Sequence, residues 1–498
     1  MHRNKPIFYR ALLLTGVNLL LRVVGTSFQV YLSRCIGAAG IGLIQLVLSV
    51  GSLSMVAGIA GIRTATMYLT AEELGKRRPQ NLCHILSACF AYSILCSGTV
   101  ATGLFLGAPW MATHWIGNVQ VIPSLRLFAV FLPVVCLSGV MSGYFTAANR
   151  IGTLAAVEVA EQLCSMVVTL ASLFLWAGKD AERSCLCVVL GGGMSACVTL
   201  TALVWLRVRE KSPSGQPIPV RQRLLHAAVP LAGADVVRSC ISTTENLLVP
   251  KRLSLFHGET DPMSAFGRVS GMVFPVMMFP ACILYALAEL LIPELARCNA
   301  AGKKERIGYL VQRGLWSAMV YGIFFGGLVF LFAQPLCVRL YCNAQAGDSL
   351  QFYAVMIPFL YCDAITDAMT KGLGQQKICV RYNILTSFLD VVFLFLLLPV
   401  YGMKGYFVSF LVTHLINFLL SLRRLSIITG FRISFAVPAL AASACLLAVW
   451  ISRLVQLPAV YVLLLPLLLS LFGVLKKEDI AWMRHLVFSV IRRKKCTA

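Results

Sequence analysis

Three arginines lie inside long apolar stretches of the chain, where charged side chains are rare. Arg22, Arg63 and Arg268 are each flanked by mostly apolar residues. A charge at the centre of a bilayer costs ~2.5 to 3.5 kcal/mol on insertion scales, so such residues usually mark a functional site. A guanidinium stays charged and presents N–H donors that match phosphate oxygens. We therefore predict that Arg22, Arg63 and Arg268 bind an anionic, phosphorylated head group.

A structural alternative exists for each of these arginines. Arg63 and Arg268 lie close enough to a predicted membrane face for their long side chains to reach water. Arg22 would instead form an ion pair with a buried carboxylate. In these cases the three residues would contribute to stability and not to binding.

Acidic residues in the second half of the chain suggest a cation or proton site. Asp235 and Asp390, with the nearby hydroxyl of Thr386, supply the oxygen ligands that a hard cation such as sodium prefers. We expect no bound cofactor, and the sequence does not assign a metal site. Coupling to Na⁺ or H⁺ through these residues is a hypothesis.

Asp363 and Asp367 form a second acidic pair. Their i, i+4 spacing places two like charges on one helix face, which is unfavourable without compensation. A cation or a proton between them would relieve the repulsion, and they are further candidates for coupling. The simpler explanation is an ion pair with Lys371, which follows at the next i+4 position.

The sequence gives no indication of an enzyme. It contains no GxSxG, GxxxxGK[ST], HExxH or DxD motif, and its seven histidines have no metal-ligand spacing. The predicted loops are also too short to hold the acidic catalytic groups of a membrane glycosyltransferase. We interpret the chain as a non-enzymatic protein.

The composition is that of a membrane protein with many spans. Of 498 residues, 58% are apolar and only 13% are charged, whereas a soluble protein has about 25% charged residues. Apolar stretches of about 20 residues are long enough to cross a bilayer as helices. We predict an all-α polytopic fold with about fourteen transmembrane helices. They are expected at residues 7–33, 41–69, 85–107, 120–145, 153–177, 184–206, 227–250, 266–292, 314–334, 351–370, 382–400, 405–422, 434–452 and 456–475.

Five segments are predicted from this pattern. The longest connection, 207–226, is rich in serine, glycine and proline and is typical of a linker. It would separate an N-terminal lobe of helices one to six (1–206) from a C-terminal lobe of helices seven to twelve (227–422). Helices thirteen and fourteen (423–475) and a basic amphipathic tail (476–498) would follow.

The basic residues predict the orientation in the membrane. Of the 43 lysines and arginines, 30 lie in segments predicted to be cytoplasmic or at their helix ends, and eight lie in outer segments. This bias places both termini in the cytoplasm. It also explains the net charge of +23 without a nucleic-acid partner. The basic tail is expected to lie on anionic membrane lipids, although an irregular charged tail is the alternative.

Several segments resemble a known family. They are residues 245–253 (ENLLVPKRL), 267–303 (GRVSGMVFPVMMFPACILYALAELLIPELARCNAAGK), 32–46 (LSRCIGAAGIGLIQL), 155–163 (AAVEVAEQL) and 398–406 (LPVYGMKGY). Together they are similar to the stage V sporulation protein B group. That group belongs to the polysaccharide-biosynthesis exporters of the multidrug/oligosaccharidyl-lipid/polysaccharide (MOP) flippase superfamily, which includes lipid II flippases and MATE transporters.

The resemblance implies two six-helix lobes that alternate between inward-open and outward-open states in the bacterial cytoplasmic membrane. It implies a flippase for a polyprenyl-pyrophosphate-linked oligosaccharide or a lipid II-like peptidoglycan precursor, serving cell wall or spore cortex synthesis. We expect the protein to be a monomer. Related lipid II flippases carry essential arginines in helices one, two and eight, the helices of Arg22, Arg63 and Arg268. Phe28 stands where those flippases have a second arginine in helix one.

The resemblance also bears on ion coupling, because sodium sites in some relatives use helices seven, eleven and twelve. Asp235 and Asp390 match these sites by helix. Two other functions are compatible with the sequence. A cation-coupled multidrug or metabolite exporter of the MATE type would have a cavity dominated by carboxylates and aromatic rings. A non-transporting scaffold would recruit envelope enzymes through the basic tail.

Overall fold

The structure is a computed structural model that describes residues 5–76, 79–177, 180–209, 220–430, 436–457 and 459–475. The described chain folds into seventeen α-helices connected by short turns, which confirms the all-α prediction. In chain order the helices are α1 Lys5–Ile59, α2 Ile62–Gly75, α3 Leu82–Trp110, α4 Ile122–Ala147, α5 Ile151–Ser172, α6 Ala181–Val208, α7 Val220–Leu253, α8 Pro262–Gly267, α9 Phe274–Met278, α10 Ala281–Ala300, α11 Lys304–Tyr341, α12 Ala344–Tyr353, α13 Ile357–Gly372, α14 Gln376–Tyr401, α15 Met403–Thr429, α16 Ala436–Leu454 and α17 Val460–Leu471.

The first two predicted spans meet at a single glycine. Within α1, Gly37 has φ 82° and ψ 177°, a backbone conformation that only glycine adopts readily. The predicted connection at residues 34–40 is therefore a kink and not an open loop. A second interruption follows α1, where Ala60 and Gly61 have φ of 43° and 71°. It divides the predicted span 41–69 into two helical pieces.

Ten helical stretches of the described chain are long and apolar enough to cross a membrane, or eleven if Pro262–Met278 and α10 together form one span. The remaining predicted spans are accounted for by three features. One apolar stretch, Leu19–Leu74, contains two predicted helices. The helix α7 has 34 residues but is not among the ten, and α17 is a shorter apolar helix of twelve residues. The polytopic fold is confirmed.

The chain packs as two compact units. The first contains Met1–Cys282 and Ile384–Thr413, and the second contains Ile283–Asn383 and His414–Ala498. The boundaries between units fall inside α10, α14 and α15. This division differs from the predicted lobes 1–206 and 227–422, which stay a prediction. Most of the predicted linker and the whole tail 476–498 lie outside the described residues.

Each unit has an apolar core. In the first unit, residues of α2, α3 and α4 pack around the buried rings of Tyr144 and Phe145. In the second unit, α16 and α17 pack on α11 around Tyr461, whose ring is fully buried. The Tyr461 hydroxyl donates a hydrogen bond of 3.1 Å to the carbonyl oxygen of Ile323. A buried hydroxyl thereby keeps a hydrogen-bond partner inside an otherwise apolar cluster.

Candidate functional site

Arg63 lies in the first turn of a helix that begins inside a predicted span. The new helix α2 starts after the break at Ala60 and Gly61, and its first intrahelical bond runs from the amide of Ala65 to the carbonyl of Gly61, at 3.1 Å. The Arg63 side chain is exposed. The break thus places Arg63 at the N-terminus of a helix, and the positive dipole end of a helix favours anions.

The packing of neighbouring helices fixes this break. A Cβ atom on Gly143 of α4 would lie 2.4 Å from the carbonyl oxygen of Arg63, so only glycine allows α4 to approach this closely. On the other side, the Tyr92 hydroxyl of α3 donates a hydrogen bond of 3.3 Å to the carbonyl of Ala60. That bond satisfies a carbonyl which the interrupted helix leaves without a regular partner.

Arg268 begins an irregular helical turn. Residues Arg268–Val273 are wound as a π-helix between α8 and α9, and π-helical turns inside α-helices are frequent at functional sites. The segment is held against α1 at very short range. A Cβ atom on Gly267 would lie 1.8 Å from the carbonyl oxygen of Ala38, and the Ser33 hydroxyl of α1 donates a 3.2 Å hydrogen bond to the carbonyl of Gly271.

The Arg268 side chain is mostly buried and has an acidic neighbour. Only 15% of its surface is exposed, and its Nη2 atom lies 3.4 Å from Oε1 of Glu259. Its Nη1 atom donates to the Ser264 hydroxyl, also at 3.4 Å. The charge of Arg268 in an apolar stretch makes it a candidate from the sequence alone. Glu259 has no such signal, because it lies in the connection between α7 and α8.

Arg22 lies on an exposed face of α1. Three residues later, a Cβ atom on Gly25 would come within 3.7 Å of the Gln162 side-chain nitrogen of α5. Leu21, which precedes Arg22, lines a cavity next to α5. The assignment of Arg22, Arg63 and Arg268 to a head-group site stays a prediction.

The cavity beside Arg22 carries acidic groups. It has a volume of about 410 Å³ and is lined by α1, α4, α5 and α6 of the first unit. Glu158 and Glu161 of α5 face it together with the rings of Phe128 and Phe131. Glu161 is close enough to Arg63 to interact with it electrostatically. The cavity therefore combines two carboxylates with aromatic rings.

A second pair of neighbouring carboxylates consists of Glu245 on α7 and Asp390 on α14. Asp390 is buried, with 8% of its surface exposed. One of its carboxylate oxygens accepts a 2.6 Å hydrogen bond from the Ser409 hydroxyl and a 3.3 Å bond from the Thr413 hydroxyl, both on α15. Glu245 of α7 lies close enough to interact electrostatically with Asp390 and is beside Ser387. Two neighbouring carboxylates in an apolar region favour a shared proton or a bound cation.

The predicted partner of Asp390 occupies a different position. Asp235 is exposed and lies ten residues before Glu245 on α7, about 15 Å along the helix axis at a rise of ~1.5 Å per residue. Thr386 is buried one turn before Asp390 on α14. Glu245 is the acidic residue of α7 that lies near Asp390, and a cation site formed by Asp235, Asp390 and Thr386 stays a prediction. Spacing along one helix does not reveal which residue faces another helix.

The acidic pair on α13 has two separate sets of partners. Asp367 forms an ion pair with Lys371, as the simpler explanation predicts. Asp363 instead lies 3.2 Å from the His414 ring nitrogen Nδ1 and accepts a 2.9 Å hydrogen bond from the Asn417 amide. No group of three or more histidine, cysteine, aspartate or glutamate side chains is arranged to hold a metal ion in the described part of the chain.

Comparison with known proteins identifies the family. Residues 10–296, more than half of the chain, match the family described as polysaccharide biosynthesis protein. Residues 230–396 match the MatE family. Stage V sporulation protein B of Bacillus subtilis (strain 168) is 22% identical over 419 residues, covering 79% of this chain and 78% of the relative.

Two solved structures share the fold. The lipid II flippase MurJ, in an inward closed conformation, superposes with a TM-score of 0.70 at 11% identity, covering 96% of this chain and 100% of that one. An inward-facing multidrug resistance MATE family transporter of the MOP superfamily gives a TM-score of 0.66 at 14% identity, covering 83% and 96%. The chain is a multi-pass membrane protein that belongs to the polysaccharide biosynthesis protein family and shares the fold of a MATE family transporter of the MOP superfamily.

Proposed function

We propose that this protein is an alternating-access flippase for a polyprenyl-pyrophosphate-linked oligosaccharide or a lipid II-like peptidoglycan precursor. It would act in the bacterial cytoplasmic membrane, with both termini in the cytoplasm, and serve cell wall or spore cortex synthesis. The family, the similarity to stage V sporulation protein B and the fold shared with a lipid II flippase support this proposal. The protein would act as a monomer.

The observation that carries the proposal is the position of two arginines at interruptions of helices. Arg63 follows a break in a predicted span, and Arg268 begins a π-helical turn. Transporters commonly bind substrates where spanning helices are discontinuous, because free backbone groups and helix ends become available there. A positive side chain at such a place is suited to a phosphate.

Such a substrate needs a protein to carry its head group across the bilayer. A charged, hydroxyl-rich head group loses its hydration when it enters hydrocarbon, which is strongly unfavourable. Guanidinium groups and helix N-termini replace part of that hydration with charge-assisted hydrogen bonds. The polyprenyl tail remains in lipid and needs no such compensation.

Transport of fluorescent polyprenyl-pyrophosphate sugars in proteoliposomes tests the proposal. Single variants Arg22→Ala, Arg63→Ala and Arg268→Ala are expected to abolish transport while the protein still folds. Arg126→Ala is the matched control, because Arg126 stacks over the Phe105 ring at 5.1 Å and is not part of the proposed site. Full transport by all three variants would refute the head-group site.

We also propose that Na⁺ or H⁺ drives transport through the Glu245 and Asp390 carboxylates. Asp390 accepts hydrogen bonds from the Ser409 and Thr413 hydroxyls and interacts electrostatically with Glu245, which supports an oxygen-lined site. Asp390→Asn should reduce transport driven by a Na⁺ or pH gradient, whereas Asp235→Asn should have a smaller effect. Equal effects of the two variants would contradict the assignment to Glu245 and Asp390.

One observation favours a second function, cation-coupled export of a drug or metabolite. The cavity lined by Glu158, Glu161, Phe128 and Phe131 has the carboxylates and aromatic rings that suit a cationic, apolar compound. Cells that express Glu161→Gln would then lose efflux of a cationic dye such as ethidium. Retention of flippase activity together with unchanged dye efflux would exclude this function.

A further inference from the structure

The connection between α7 and α8 is folded so that it presents one carboxylate to Arg268. Residues 254–261 form tight turns, and the amide of Glu259 donates a 3.4 Å hydrogen bond to the carbonyl of Phe256. A Cβ atom on Gly258 would lie 2.5 Å from the Phe256 ring, and one on Gly402 would lie 2.7 Å from the same ring. The ring is therefore enclosed between two glycines, which fixes the turn that carries Glu259.

The far end of the connection is fixed as well. The side chain of Asp261 accepts a 3.1 Å hydrogen bond from the amide of Ser264 and caps α8. The Ser264 hydroxyl in turn accepts a hydrogen bond from Arg268. Glu259 and Arg268 thus lie on a short segment of chain whose geometry is set at both ends.

The contact between these two side chains is present but weak. Their closest nitrogen and oxygen atoms are 3.4 Å apart, and the exposed fractions are 15% for Arg268 and 23% for Glu259. Strong hydrogen bonds between charged groups are shorter, at about 2.7 to 2.9 Å. The contact brings a negative charge close to the guanidinium, but at a distance longer than that of a strong charge-assisted hydrogen bond.

We propose that Glu259 is a displaceable counter-ion that occupies Arg268 until a pyrophosphate group replaces it. This inference rests on the proposed function, because it assumes that Arg268 binds the head group. A guanidinium within a predicted span is unfavourable without a partner. The carboxylate supplies one in the substrate-free state, and a pyrophosphate, with more charge and more acceptor oxygens, competes successfully for the same donors. Glu259 therefore sets the affinity for the phosphorylated substrate.

Binding of geranyl pyrophosphate to the purified full-length protein in detergent tests this inference. Glu259→Gln keeps the size of the side chain and removes the competing charge, so affinity should rise roughly two- to fivefold, the range of a partly exposed ion pair. Glu259→Asp retains the charge and should keep an affinity near that of the unmodified protein. Geraniol, which lacks the pyrophosphate, should bind equally to all three proteins.

Two controls complete the experiment. Glu294→Gln removes the carboxylate of another arginine pair, Arg306–Glu294, in which the closest atoms are 3.6 Å apart. It should leave geranyl pyrophosphate binding unchanged. Arg268→Ala should abolish the tighter binding of Glu259→Gln when the two changes are combined.

The outcomes separate the inference from the proposed function. If Arg268→Ala weakens binding but Glu259→Gln leaves it unchanged or weaker, Glu259 is not a competitor and the inference fails alone. If Arg268→Ala has no effect on binding or transport, the role of Arg268 in the proposed function fails and the inference fails with it. An equal gain in affinity for Glu259→Asp and Glu259→Gln would also refute the explanation by charge.

Discussion

The closest contact at the candidate site predicts a strong effect of a single methyl group. In Gly267→Ala the new Cβ atom would lie 1.8 Å from the carbonyl oxygen of Ala38 and 2.8 Å from the amide nitrogen of Gly42. Both neighbours are backbone atoms, which cannot rotate away. The end of α8 must therefore move relative to α1.

The size of that movement follows from contact distances. A carbon atom and a carbonyl oxygen in contact are about 3.3 Å apart, so the backbones must separate by about 1.5 Å at Gly267. The Arg268–Glu259 contact, at 3.4 Å, is only about 0.6 Å below the ~4 Å limit of an ion pair. Arg268 follows Gly267 directly, so a movement of this size displaces its guanidinium by more than this margin. Overpacking of this kind lowers the free energy of unfolding by about 1 to 3 kcal/mol.

Two measurements test this prediction. The apparent melting temperature of Gly267→Ala in detergent should fall, and transport in proteoliposomes should decrease roughly tenfold or more, since misplacing a functional group by ~1 Å can slow a reaction ~100-fold. Gly139→Ala on α4 is the matched control, because a Cβ there meets nothing within 4 Å. It should be neutral or stabilising by up to about 1 kcal/mol. Normal melting and transport of Gly267→Ala would refute the close packing of α1 on α8.

Further predictions concern polar contacts outside the candidate site. Tyr461→Phe removes the 3.1 Å hydrogen bond to the Ile323 carbonyl and should destabilise the protein by about 1 kcal/mol, measured as reduced resistance to denaturant. Arg223→Ala removes a partner 3.1 Å from the Glu73 carboxylate, whose side chain is only 3% exposed, and should cost about 1 to 3 kcal/mol. Arg306→Ala, in a pair whose arginine side chain is 58% exposed, should change stability by less than about 1 kcal/mol, and equal losses for the two arginines would contradict this difference.

The number and type of membrane helices were largely readable from composition. An apolar stretch of about 20 residues has few ways to satisfy its backbone in lipid other than a helix. Composition did not predict where these helices are interrupted. Gly37 and Gly61 adopt positive φ values, but many other glycines of the chain lie inside regular helices. Which glycine breaks a helix depends on what packs against it, as Gly143 does at Arg63.

The residues of the candidate site could also be predicted only in part from the sequence. Charge within an apolar stretch identified Arg63, Arg268 and Asp390 because desolvation makes such residues rare whatever the fold. Their neighbours, Glu259 and Glu245, could not be chosen from the sequence, since one lies in a connection and the other on a separate helix. An acidic residue at either place is equally compatible with a solvent-exposed surface.

The sequence by itself therefore determined that this chain is an all-α membrane protein and which charged residues lie within its spans. Both follow from the free energy of transfer into hydrocarbon, which depends on residue type and local order along the chain. Only the tertiary structure decided which carboxylate faces Arg268 and which faces Asp390. Those contacts depend on helix rotation, on breaks and on glycine-mediated close packing, and these arise from interactions between residues far apart in the chain.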